Sequence, residues 1–145
     1  MKRFFVQTVC PILFACAVFC VVVFGDLDNG TGELREITFG NIKKVSYHFI
    51  SDVTEAAQAT TTEYYSGRIM AVAYVPGTAT KGHFTVTEAG NYSTGQDLLC
   101  GTFGALGSTV QEVTSPLGYV VSDRLIISAS SVGVIQDGTI TLIIW

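Results

Sequence analysis

The sequence predicts an all-β protein: a single β-sandwich of Greek-key or jelly-roll type with about seven strands, preceded by an apolar N-terminal helix. Three observations predict it. From Ile42 onward, apolar residues recur with the two-residue period of a half-buried strand and not with that of a helix. The stretches between them carry turn residues, namely Pro76-Gly77, Ala89-Gly90-Asn91, Ser115-Pro116-Leu117-Gly118 and Asp137-Gly138. Ahead of all this, Phe4 to Gly25 contains no charged residue, and as a helix it would cover the hydrocarbon core of a bilayer, about 30 Å.

The N-terminal segment, residues 1–25, reads as a transmembrane or signal segment. Lys2 and Arg3 supply a basic leader, but Val23-Phe24-Gly25 puts valine where a signal cleavage site needs a small residue. An uncleaved anchor through residues 4–25, a cleaved signal and a start codon placed too early all remain open. Cys10, Cys16 and Cys20 lie inside this segment, which leaves Cys100 alone in the rest of the chain. A disulfide within the folded domain is therefore excluded, and its core must stand by burial. Ala17-Val18-Phe19-Cys20 lacks the small residue that precedes a lipidated cysteine.

Residues 26–41 are acidic and glycine-bearing at the start, without apolar periodicity, and read as a linker or extended arm. The β domain follows, 42–145. Strands are predicted at Ile42–Ile50, Gly67–Val75, His83–Glu88, Gln96–Cys100, Thr109–Thr114, Arg124–Ser131 and Thr139–Ile144. Within the first, Val45, Tyr47 and Phe49 should face inward and Ser46 and His48 outward; within the sixth, Leu125, Ile127 and Ala129 should be the buried set. The threonines of "DVTEAAQATTTEYY" argue for a loop. The last strand has apolar residues on both faces, Trp145 and Ile143 on one and Ile140, Leu142 and Ile144 on the other, so it should be covered on both, by a loop or another subunit.

Charge excludes one class of partner. All 12 acidic residues but only six of the 8 basic ones follow Gly25, so the remainder carries −6, a poor match for nucleic acid. The pair Lys43-Lys44 splits between the two faces of a strand. "LLCGTFGALGST", Leu98 to Thr109, has neither the Gly-x-Gly-x-x-Gly spacing of a dinucleotide cradle nor the Gly-Lys-Ser/Thr of a phosphate loop. It reads as a turn whose glycines serve backbone geometry. Cys100 as a nucleophile would need His48 or His83 beside it, with no residue pattern to orient either. Asp97, Asp123 and Asp137 could gather at one end of the domain around calcium, although no Asp-x-Asp-x-Asp loop is present. Asn29-Gly-Thr and Asn91-Tyr-Ser satisfy the glycosylation sequon. No catalytic, cofactor-binding or metal-binding residue is assigned, and no cofactor is expected.

The order of motifs carries a resemblance. "ITFGNIKKVSYHF", "YYSGRIMAVAYVPGTA", "FTVTEAG", "DLLCGTFGALGSTVQEVTSPLG" and "DRLIISASSVGVIQDGTITLIIW" resemble small virion structural proteins of tailed bacteriophages, single β-sandwiches associated with heads and tails. The matching positions are Lys43 and Lys44 in a lysine-rich first strand, Tyr65 to Gly67 at a strand start, and Pro76-Gly77 in a turn. Asp97 to Gly101 match a loop and Gly138 to Ile140 a closing strand. The resemblance covers residues 36–145; the apolar N-terminus departs from it. It implies a non-enzymatic structural subunit, located in a virion, that self-associates or decorates a phage-like particle, with homo-oligomers or other virion proteins as partners. The competing expectation is a membrane-anchored or secreted adhesion or carbohydrate-binding module.

Overall fold

The computed structural model describes residues 20–23, 30–90, 95–99 and 105–145, with the backbone alone for 20–23 and 115–117. Among them are nine strands and no helix. They are β1 (Cys20–Val23), β2 (Thr31–Phe39), β3 (Ile42–Ile50), β4 (Ala56–Thr60), β5 (Gly67–Pro76), β6 (His83–Glu88), β7 (Gln111–Val121), β8 (Leu125–Ser130) and β9 (Asp137–Ile144). All pairings are antiparallel, in a six-stranded sheet of order β1-β2-β3-β9-β5-β7 and a three-stranded sheet of order β4-β8-β6.

The two-residue period sorts the side chains. Val45, Tyr47 and Phe49 on β3, Val72 and Tyr74 on β5, Leu125, Ile127 and Ala129 on β8, and Ile140, Leu142 and Ile144 on β9 are all at most 2% exposed. With Phe84 and Val86 of β6 and Ala57 and Ala59 of β4 they form one cluster fed by both sheets. Such burial removes about 1.5–3 kcal/mol worth of apolar surface from water per large side chain, which is the main force joining the sheets in a chain with no disulfide among its described residues. β2 and β3 form a hairpin over Gly40-Asn41, with Gly40 at φ 59, the left-handed geometry a two-residue hairpin loop requires at its first position.

The observed strands match the sequence reading at β3 and β6 and come close at β5, β8 and β9. Elsewhere the structure differs. Gln96–Cys100 is not a strand over its described part: the Asp97 carboxylate accepts from the amides of Val86 (3.0 Å) and Leu99 (3.2 Å), and Leu98 N–H donates to the Val86 carbonyl (2.7 Å). A side-chain acceptor here takes the place of a ladder partner beside β6 and turns the chain at Leu98-Leu99. Cys100 lies outside the described residues.

Residues 56–60, expected in a loop, form β4, because Ala57 and Ala59 alternate with half-buried Ala56, Gln58 and Thr60. The stretch read as an arm, 26–41, contains β2, paired with β3 along its whole length. Ser115 to Gly118, expected to separate two strands, lies inside β7. Thr114 pairs with Ala71 and Tyr119 with Ile69, so the four residues between them oppose Met70 alone in a wide bulge. Of the apolar segment read as an anchor or signal helix, Cys20–Val23 pairs with β2 as β1, and the rest lies outside the described residues. No helix among the described residues is long and apolar enough to cross a membrane.

Candidate assembly surface

The side chains that β2, β3, β9, β5 and β7 turn away from the core form a broad face of cross-strand rows. One row is Glu33, His48, Thr139 and Val75; the next is Arg35, Ser46, Thr141, Ala73 and Glu112; the third is Ile37, Lys44, Ile143, Ala71 and Thr114. The second row is small and uncharged at its centre, over Ser46, Thr141 and Ala73, and the third carries Lys44 beside Ile143. Ser46 and Thr141 hydroxyls bridge β3 to β9 at 3.1 Å. A shallow groove of about 290 Å³ runs over Glu33, Arg35, Ile37, Lys44, Ser46, His48 and Thr139.

A fourth row closes one end. Phe39 pairs with Ile42, Trp145 follows Ile144 beside it, and Arg68 exchanges backbone hydrogen bonds with Trp145 and pairs with Val120. Phe39 (55% exposed), Ile42 (46%), Trp145 (67%) and Val120 (60%) make this row markedly apolar and open. The sequence places Trp145 and Ile143 on the face opposite Ile140, Leu142 and Ile144, and the structure agrees: the second set is sealed in the core while Ile143 is half-buried.

Two polar sites hold this face in shape. At the far end, Asp137 Oδ1 accepts from the Thr78 amide (2.8 Å) and hydroxyl (2.6 Å), while its Oδ2 lies 3.5 Å from His48 Nε2. The Thr78 hydroxyl and amide, then His48, hold the Asp137 carboxyl below its ordinary range. On the inner side of β2, Glu36 is 7% exposed and accepts from the Tyr65 hydroxyl (2.5 Å), the Thr62 amide (2.9 Å) and hydroxyl (3.2 Å), and the Glu63 amide (3.3 Å). A buried carboxylate is tolerated only with such a full set of donors. Burial, and then the bond to Glu36, pushes the Tyr65 hydroxyl far up, so it remains a donor. Lys43 Nζ stands 5.1 Å from the centre of the Tyr65 ring. Sequence reasoning missed the Glu36 site; its one signal is an acid at an inward position of β2, in a stretch whose strand was itself not recognised.

The three aspartates considered for calcium are not brought together. Asp97 binds backbone beside β6, and Asp123 Oδ1 accepts from the Arg124 amide (2.6 Å) just before β8. Asp137 opens β9 at the opposite end, and the length of that strand, about 23 Å, separates it from the Trp145 end where the Asp123 carbonyl accepts from Tyr65. No group of three metal-ligating side chains occurs among the described residues. His48 lies exposed on β3 and His83 exposed on β6, in different sheets. Asn29, Asn91 and Cys100 lie outside the described residues. In "LLCGTFGALGST" the anchors are leucines: Leu99 and Leu106 are 1% and 3% exposed, and Leu106 N–H donates to the Gly82 carbonyl at 2.8 Å.

No protein-family model matches the chain. No curated protein matches it either. Among solved structures it is similar to the crystal structure of FeII HppE, at 8% identity and a TM-score of 0.38 over 94% of this chain. The chain spans 62% of that protein's length.

Proposed function

We propose that this chain is a non-enzymatic structural subunit, a β-sandwich that self-associates or decorates a phage-like particle. The sandwich reading is supported by the order of the strands. From β3 to β9 consecutive strands alternate between the two sheets, the connectivity of a jelly roll, and both sheets feed one cluster of buried side chains. The structural role rests on one observation: the outer face of the six-stranded sheet ends in the exposed apolar row Phe39, Ile42, Trp145 and Val120. Exposed apolar rows of this kind on a rigid sheet mark protein–protein contacts.

On this reading the partners are further copies of the chain or other virion proteins, and the location is the particle; a membrane-tethered form through residues 4–25 is the alternative. Light scattering and sedimentation of the full chain in a density-matched mild detergent test the proposal. A concentration-dependent assembly is expected, with labelling of released particles by antibody to the chain. A strict monomer at high concentration that is absent from particles would overturn it.

A further inference from the structure

We propose that copies of this chain associate head to tail, the Trp145 end of one seating on the Ile135 end of the next. The inference rests on the self-association reading above and adds which surfaces meet. Among the described residues, every exposed large apolar or aromatic side chain lies at one of the two ends of the strands. Phe39, Ile42, Tyr64, Val120 and Trp145 stand at one end; Val53, Val75, Val110, Val134 and Ile135 stand at the other.

Charge separates along the same direction. Of the six basic residues after Gly25, Lys43, Lys44, Arg68 and Arg124 lie toward the Trp145 end. The same end holds Glu63, and the carboxylates of Glu88 and Asp123 there accept from the Ser122 amide at 2.7 Å and the Arg124 amide at 2.6 Å. At the Ile135 end stand Asp52, Glu55 and Asp137, with Glu112 near the start of β7, and Lys81 is the one lysine or arginine among the described residues there. Two Ile135 ends would set acid on acid, whereas opposite ends bring lysine and arginine to those acids.

Each strand has one terminus at each end, so a copy shifted along the strands sets the finish of a strand against the start of the same strand in its neighbour. Trp145, past β9, then meets Ile135, ahead of it. Ile42 and Lys43 come to Asp52 and Val53 across β3, Val120 to Val110 across β7, and Glu88 to Lys81 across β6. β1 pairs only with Leu34 to Ile37 and stops short of both ends of β2, and Val120 lies beyond the bulge of β7, so neither interrupts the contact.

The Ile135 end is held rigid. Ile135 has φ 51, with Glu55 at 63 and Ser131 at 56, the left-handed region that a β-branched residue resists most. Buried Ser51 fixes the loop: its hydroxyl donates to the Gly133 carbonyl (2.5 Å) and accepts from the Gln136 amide (2.9 Å), and its own amide donates to the Gln136 carbonyl (2.9 Å). Ile135 is 67% exposed, so this strain serves no burial in the core. An apolar tip already fixed in shape is what a contact of small area requires, because little ordering remains to be done on binding. The end of a two-layer sandwich is roughly 24 by 20 Å, about 1,000 Å² in total for a pair, the lower bound of a specific interface. Assembly should therefore grow with concentration.

The test uses the full chain in density-matched mild detergent, followed by sedimentation velocity over a range of concentrations. The parent should form species larger than dimers, since a head-to-tail contact leaves an open end at each stage. F39D blocks the Trp145 end and I135N the Ile135 end; each alone should be monomeric, with association weakened at least about tenfold. Mixed in equal amounts, they should form a one-to-one dimer and nothing larger, because each keeps the end the other lacks. Asparagine accepts the left-handed backbone, so I135N should also melt at or above the parent temperature while losing assembly. I42D and V53D repeat the experiment at independent sites, and thermal melts verify that each variant is folded. If F39D is monomeric while I135N still dimerises, like ends pair and the inference is overturned. Variants that all assemble as the parent does, or a mixture that stays monomeric, overturn it too and leave self-association standing. A parent that is monomeric at every concentration removes both the inference and the reading beneath it.

Discussion

Replacing Tyr47 with phenylalanine is expected to stabilise the protein. The Tyr47 side chain is 0% exposed in the core, and its hydroxyl has no hydrogen-bond partner among the described residues. Burial pushes that hydroxyl well above its ordinary ionisation range, so it stays protonated and its donor unused. An unsatisfied buried donor costs about 1–3 kcal/mol. Removing the oxygen leaves a void of roughly 15 Å³, which at ~24 cal/mol per Å³ returns about 0.4 kcal/mol of that. The net expectation for Y47F is a gain of about 0.5–2.5 kcal/mol, or roughly 2–10 °C in Tm for a domain of this size.

Tyr65 and Tyr74 provide internal controls. Y65F takes a donor from the buried Glu36 carboxylate and should cost about 1.5–3 kcal/mol. Y74F loses the 2.7 Å bond to the Ala79 carbonyl and should cost about 1 kcal/mol. Urea and thermal unfolding followed by circular dichroism measure all three, with unchanged m-values as the condition for comparison. A Y47F protein less stable than its parent by more than about 1 kcal/mol would refute the reasoning, because it would mean that the hydroxyl is paired.

Three further expectations follow from the packing. Gly138 sits where an added Cβ would lie 2.8 Å from the Tyr74 ring and 3.0 Å from Phe49, so G138A should lose about 1–3 kcal/mol by overpacking, read as a lower urea midpoint. L106A empties a side chain that is 3% exposed and should cost about 2–4 kcal/mol, with faster proteolysis between residues 95 and 110 as a second readout. Asp137 has a folded-state carboxyl held below its unfolded value, so its contribution to stability is complete above about pH 4 and lost as pH falls through the depressed value. Acid unfolding of D137N should therefore depend less on pH in that window than the parent's, and an identical profile would show that the Thr78 bonds add nothing.

What the sequence revealed followed the strength of its alternation. β3 and β8 were legible because large apolar residues alternate with Ser and His: Val45-Ser46-Tyr47-His48-Phe49 and Leu125-Ile126-Ile127-Ser128-Ala129 carry a two-residue period without ambiguity. β4 was hidden because its inward residues are alanines, whose weak strand preference mimics a loop among threonines. β2 was hidden because Gly32 and buried Glu36 break the pattern, and that glutamate is accepted only because Thr62, Glu63 and Tyr65, remote in sequence, converge on it. Gln96–Cys100 misled in the other direction, since the propensity of Leu98 and Leu99 says nothing of the Asp97 carboxylate that captures the Val86 amide. The outer face was half legible: the parity of Trp145 and Ile143 exposed a second apolar side to β9, but its rows depend on register, which no local pattern encodes.

The position of β9 sets how this chain can fold. It is the latest strand in the described sequence, yet it lies between β3 and β5 and pairs with both, joining Lys43 to Ile144 and Tyr74 to Ile140. Until residues 137–144 leave the ribosome, β3 and β5 have an open slot between them, and Val45, Tyr47, Val72 and Tyr74 lack the strand that seals them. Sheet formation must therefore close loops on the order of a hundred residues in one late step, which places the protein among slow folders of high contact order and exposes two unpaired strand edges in the interval. Strains or expression hosts that slow synthesis upstream of β9 should gain little soluble protein. Chaperones that shield the β3 and β5 edges should gain more.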